Sequence, residues 1–237
     1  MNIFKFNVKS YAVVPFLAIA VIFLILHYTT WSQSSELKSE IYNDPENSIN
    51  DRVNDLLSQM TLVEKIGQMA LVEKNSIKKI EDISKYGIGA VLSGFGAKPD
   101  DNSSEGWQKM VDKFINESKK SRLGIPILYG VDAIHGHSNV PGNVVFPHAI
   151  GLGASGDIEL VKKIASATKE QLLATNVNWN YSPTYDIPQD VRWGRVYEAF
   201  SDDPKLVSAL GEAYIEGLQE NINNPSKIDI LATPKHT

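Results

Sequence analysis

No cysteine occurs in the 237 residues. That excludes a disulfide framework, a thiolate metal site and a cysteine nucleophile. Positive charge is also short: 23 Lys and Arg stand against 28 Asp and Glu, a net −5. Nucleic-acid binding needs basic stripes, so no nucleic-acid partner is expected. Histidine is sparse, with five residues at 27, 135, 137, 148 and 236, which leaves thin material for a histidine-rich metal centre. What is present is ordinary: 43% hydrophobic and 22% charged residues, 16 Gly and 11 Pro. Such a composition excludes disorder, collagen-like repeats and a coiled coil. The length suits one domain, or about one and a half.

The first 35 residues carry only two charges, Lys5 and Lys9. Tyr11 to Leu26 is almost wholly apolar, and uncharged sequence continues through Trp31 to Ser35. Removing the two lysines leaves 21 minus 28, or −7, on the remainder. A basic start and an apolar core fit a signal peptide. The stretch after Leu26 offers no small-residue cleavage site, which favours an uncleaved anchor over residues 11–31, with Trp31 at the headgroup level. Either way the remainder is expected to be exported, to a periplasmic or extracellular face, with the N-terminal segment in the membrane or removed.

Residues 36–50 read as a polar linker. Val53, Leu56, Leu57 and Met60 then share a helical face, and Thr61-Leu62-Val63-Glu64 has the capping-box pattern of a second helix. Beyond residue 87 the text alternates. Apolar runs at 87–92, 125–131, 177–181 and 228–232 read as buried strands. A helical stripe of Trp107, Met110, Val111, Phe114 and Ile115, and helical text at 157–175 and 204–219, fall between them. About four strands joined by three helices imply βα units and a parallel sheet. In such sheets polar chemistry gathers just past the strand C-termini.

Three segments at those positions are rich in reactive side chains. Asp132 comes directly off a strand, where a carboxylate can accept two ligand hydroxyls or cap a turn. His135 and His137 form an H-x-H pair, either half of a metal site or a pair of hydrogen-bonded loop histidines. The segment 190–204 packs Arg192, Trp193, Arg195, Tyr197, Glu198, Asp202 and Asp203 into one connector. Asp202 and Asp203 suit helix capping before Pro204. One arginine would pair with Glu198 and brace the loop, leaving the other to donate to a polar ligand. Lys235 and His236 follow the last strand.

Together four segments resemble the N-terminal domain of glycoside hydrolase family 3, the β-glucosidase and exo-β-glucanase family. They are Gly124-Ile125-Pro126 through His137; Phe146-Pro147-His148 with Gly151 to Ser155; Arg192-Trp193-Gly194-Arg195 with Glu198; and Lys235-His236. Their order and spacing agree over roughly residues 50–237. The resemblance implies an α/β fold, a (β/α)8 TIM-type barrel with about its first half present, preceded by an N-terminal hydrophobic helix. The corresponding divisions are 1–35 signal anchor or signal peptide, 36–50 linker and 51–237 partial barrel. Half a barrel leaves open strand edges and is expected to fold poorly alone.

The activity implied is retaining hydrolysis of terminal non-reducing β-D-glucosyl residues, with a β-glucoside or β-glucan oligosaccharide as partner and no cofactor or metal. Retaining enzymes use two carboxyl groups about 5–5.5 Å apart. By position, Asp132, Arg195, Lys235 and His236 would bind the sugar. The nucleophile and acid/base are expected beyond residue 237, so the chain as given would lack catalysis. Gln189-Asp190-Val191 departs from the family's usual Arg-Asp-Pro. A membrane-tethered sugar-binding module and a metal-dependent barrel hydrolase on His135 and His137 are the competing readings.

Overall fold

The computed structural model describes residues 41–94, 96–220 and 229–236. The chain divides into two compact units, Met1–Gln59 and Met60–Thr237. In the first, two turns lead into helix α1, Ile49–Gln59, which therefore begins inside the segment read as linker. Asp55 accepts from the Tyr42 amide at 3.1 Å, and Arg52 Nε donates to the Tyr42 carbonyl at 2.9 Å. The apolar segment 11–26 lies outside the described residues. Among the described residues no helix is long and apolar enough to cross a membrane.

The second unit is α/β, built on five parallel strands in sequence order: β1 Leu71–Glu73, β2 Ala90–Leu92, β3 Leu128–Val131, β4 Trp179–Asn180 and β5 Leu231–Ala232. This arrangement is consistent with a TIM-like fold. Four strands were expected from the sequence. The additional one is β1, only three residues long and ending on Glu73, too short to register as an apolar run. The other strands are shorter than the apolar runs that contain them, because the flanking residues pack as loop.

Helix α2, Leu62–Gln68, opens on the expected capping box: the Glu64 amide donates to Thr61 Oγ1 at 3.3 Å, and the Thr61 amide to Glu64 Oε2 at 2.8 Å. Helix α3, Glu81–Tyr86, joins β1 to β2. Helix α4, Ser104–Ser118, starts at a Ser103 cap and joins β2 to β3. Two helices, α5 Ala149–Ser155 and α6 Ile158–Leu173, separate β3 from β4, and α7 Pro204–Gln219 separates β4 from β5. Asp157 and Asp203 cap α6 and α7, with Pro204 in the first turn of α7. Asp202 does not cap; it accepts from Ser201 Oγ.

One face of the sheet, including Val91, Tyr129 and Val131, meets Trp107, Val111 and Phe114 of α4, Val161 and Leu172 of α6, and Leu210, Tyr214 and Leu218 of α7 in a single buried cluster. Removing this much apolar surface from water is the main force ordering the helices on the strands. Because side chains alternate across a strand, Gly130 faces the opposite way from Tyr129 and Val131. A Cβ there would stand 2.0 Å from the Tyr181 hydroxyl. Gly130→Ala is therefore expected to push the Tyr181 ring aside and to cost about 1–2 kcal/mol, read as a lower urea midpoint at unchanged slope.

Candidate functional site

Since all five strands run parallel, their C-terminal ends lie along one edge of the sheet. Asp132 follows β3 there, the segment with Arg195 and Glu198 follows β4, and Lys235 and His236 follow β5. The structure brings all four sequence-nominated residues together. Lys235 Nζ donates to Asp132 Oδ1. Arg195 grips Glu198 with Nε to Oε1 at 2.6 Å and Nη2 to Oε2 at 2.5 Å. Arg195 Nη2 also stands 3.1 Å from His236 Nε2. His236 Nδ1 is 3.0 Å from Asp186 Oδ2. Three carboxylates and three basic side chains thus meet on one surface, as an Asp132–Lys235 pair and a Glu198–Arg195–His236–Asp186 chain.

The bidentate geometry explains the electrostatics. The Arg195 guanidinium holds the Glu198 carboxyl below its ordinary range, with the charges of Arg195 and Lys235 adding, although burial opposes this. Glu198 in turn raises Arg195. Glu198 is almost buried, at 7% exposure, whereas the Asp132 side chain is 52% exposed and can reach a ligand. Arg192 was the other candidate for a free guanidinium. It bonds Asp190 instead, and its side chain is 88% exposed to solvent.

Several residues that sequence reasoning missed hold this surface in place. The buried Asn180 accepts from the Ala133 amide at 2.9 Å and donates to the Ala133 carbonyl at 3.1 Å, which fixes the backbone immediately after Asp132. Its amide also donates to Ser182 Oγ at 2.7 Å. The Ser182–Pro183 and Lys235–His236 peptides are both cis. Pairing between the segments after β4 and β5 continues irregularly. The Lys235 amide donates to the Pro183 carbonyl at 3.1 Å, and the Tyr185 amide to the Lys235 carbonyl at 2.6 Å. That register sets Asp186 beside His236. Thr184 Oγ1 donates to the Glu198 carbonyl and ties the arginine loop to the same segment. The only sequence signal was position: Asn180 ends the fourth strand, and Ser182, Thr184 and Asp186 follow it directly.

His135 and His137 do not form a pair. His137 is fully buried, its ring edge-on to Trp107 with centroids 5.0 Å apart. His135 stacks on His148 at 4.1 Å, and His148 meets Tyr197 at 4.8 Å. Neither ring nitrogen of His137 has a hydrogen-bond partner among the described residues, so the hydrogen-bonded reading fails for that residue, whereas backbone hydrogen bonds at Phe146 and His135 act on the His135 ring. Among the described residues no group of three or more His, Asp or Glu could hold a metal ion. Burial pushes His137 down to about 4. It also lowers His135, with the neighbouring His148 adding to the effect. A cleft of about 320 Å³ runs along the same connector, lined by Ile150, Pro188, Asp190, Val196 and Asp202, and contains none of the four site residues.

Residues 61–237 match the glycosyl hydrolase family 3 N terminal domain. Over 188 residues the chain is 28% identical to a periplasmic beta-glucosidase of Salmonella typhimurium, covering 78% of this chain and 22% of that protein. The solved exo-1,3/1,4-beta-glucanase of a Pseudoalteromonas species is 35% identical with a TM-score of 0.73, over 81% of this chain and 25% of that one. A beta-glucosidase of Listeria innocua, solved as a mutant with laminaribiose, is 30% identical with a TM-score of 0.61, over 80% of this chain and 26% of that one. The chain spans less than a third of the length of the relatives it first matches.

Proposed function

The chain belongs to glycosyl hydrolase family 3, and from that premise we propose that its strand-end cluster binds the terminal non-reducing glucosyl unit of a β-glucoside or β-glucan. The observation that carries this reading is the convergence of Asp132, Arg195, Lys235 and His236 from three different strand ends. An exposed carboxylate accepts two adjacent hydroxyls of a pyranose, each bond worth about 1.5–3 kcal/mol as a charge-assisted contact. Lys235, Arg195 and His236 supply donors or acceptors around the same ring. Such contacts assist hydrolysis when they strengthen as the ring distorts towards its oxocarbenium-like transition state.

The reaction that such binding serves is retaining hydrolysis of β-D-glucosides. Within the cluster every carboxylate already has a partner: Asp132 has Lys235, Glu198 has Arg195 and Asp186 has His236. Those pairs fix the three carboxylates in place, and the part this cluster supplies is binding and orientation. On the half-barrel reading, the five strands are the first part of a (β/α)8 barrel. Export fits the lysines before Tyr11–Leu26 and the periplasmic location of the Salmonella relative.

Calorimetric titration with glucose tests this directly. The chain is expected to bind glucose in the millimolar range, and Asp132→Ala to weaken binding about tenfold or more. Equal affinity in the two proteins, or no binding by the unsubstituted chain, would sink the reading.

A further inference from the structure

Arginine only donates hydrogen bonds, so a ring nitrogen facing a guanidinium N–H has to present a lone pair. His236 Nε2 lies 3.1 Å from Arg195 Nη2 and is therefore the acceptor. The imidazole proton is then on Nδ1, which lies 3.0 Å from Asp186 Oδ2 and donates to it. This is the less common tautomer of a free imidazole. Its cause here is Asp186, whose side chain is 16% exposed and held at the site by the backbone pairing of Tyr185 with Lys235.

The consequence reaches Arg195. Its Nε and one Nη2 proton serve Glu198, and the other Nη2 proton serves His236. Among the described residues nothing bonds Nη1, so the guanidinium is clamped on two sides and offers its remaining two N–H groups together. We propose that Asp186 is a positioning residue of this site. By accepting the Nδ1 proton it locks His236 in the tautomer that receives Arg195, and so fixes the direction in which Arg195 Nη1 meets a sugar hydroxyl. With the other tautomer, N–H would face N–H and the clamp would open on that side. This inference rests on the sugar reading only for the identity of the ligand.

The test uses the full chain, long-range ¹H–¹⁵N spectra of its imidazoles, and glucose as the probe ligand. Expected in the unsubstituted protein is a protonated Nδ1 and a bare Nε2 on His236. Asp186→Ala is expected to move the proton to Nε2 and to weaken glucose binding about tenfold, the scale of one hydrogen bond. Asp186→Asn keeps an oxygen acceptor, so the tautomer should survive and affinity should stay within about threefold.

A protonated Nε2 in the unsubstituted protein overturns the proposal, as does an Asp186→Ala protein with tautomer and affinity unchanged. If Asp186→Ala does not fold, Asp186→Asn decides alone, and Nε2 protonation there overturns it. Absence of glucose binding by the unsubstituted chain removes the sugar reading, while the tautomer series still decides the role of Asp186.

Discussion

Gly153→Ala is expected to cost about 3 kcal/mol or more, the largest single effect foreseen in the molecule. A Cβ at Gly153 in α5 would stand 1.6 Å from the carbonyl oxygen of Phe200 and 2.5 Å from its carbonyl carbon. Both atoms are backbone, and Ala199 and Phe200 are buried, so nothing flexible is there to move aside. The glycine lets α5 lie directly against the strand of chain that has just delivered Glu198. Forcing that chain outward drags the Arg195–Glu198 pair with it, so stability and glucose affinity should fall together. Gly151→Ala, two residues earlier, is the control. Its Cβ meets only a Pro147 carbon at 3.2 Å, and the helix gains about 1 kcal/mol of propensity from the exchange. Urea midpoints of the two variants should therefore differ widely. Similar midpoints would dismiss the contact as the cause.

Acid is expected to remove about 3 kcal/mol of stability between pH 6.5 and 4 through His137 alone. The group is fully buried, its ring against Trp107, and burial holds it at about 4 against an ordinary 6.5. In that window the unfolded chain binds a proton and the folded chain does not, so falling pH favours unfolding. At about 1.36 kcal/mol per pH unit, the interval of 2.5 units gives the figure above. His135 titrates in the same direction. The depressed carboxyls, Glu198 and Glu64, are paired with arginines and lose their contribution only at lower pH. A difference measurement therefore isolates His137. His137→Leu keeps the volume and removes the titrating ring with its two unpartnered nitrogens. It should match the unsubstituted protein within about 1 kcal/mol at pH 7 and hold its urea midpoint at pH 5, where the unsubstituted protein falls. Parallel curves for the two proteins across pH 4–7 would refute the assignment.

The four proposed sugar-binding residues were nominated by their resemblance to the family's motifs, and their places near strand ends agree with that nomination. In a parallel sheet the residues after a strand lie along one edge, which is where Asp132, Lys235 and His236 stand and where the longer connector returns Arg195. Glycine boundaries and 3.6-residue stripes likewise pointed to α4, α6 and α7. What stayed hidden was whatever depends on pairing rather than on pattern. Strand β1 has three residues and no alternation to see. Asn180 and Asp186 are ordinary polar letters until the register of β4 against β3 sets one beside Ala133 and the pairing beyond β4 and β5 sets the other beside His236. The division of labour between the arginines also needed coordinates. Both stand within reach of an acid in sequence, and only the turn geometry gives Asp190 to Arg192 and Glu198 to Arg195. The histidine pair misled for the opposite reason, because spacing alone does not show that one ring is buried against Trp107 while the other stacks on His148.

Strand order equal to chain order has a kinetic reading. Each strand neighbours the next in sequence, and β5, two residues long, has β4 as its one strand partner among the described residues. Lys235 and His236 ride on the end of that short strand, so the cluster closes only when β5 docks. Occupancy of the site and docking of β5 are then a single linked equilibrium, and any sugar held by Lys235 and His236 stabilises the docked strand by mass action. Amide protons of Leu231, Ala232, Thr233 and Lys235 would exchange with solvent at a rate set by ligand concentration, while those under α6 and α7 follow global opening.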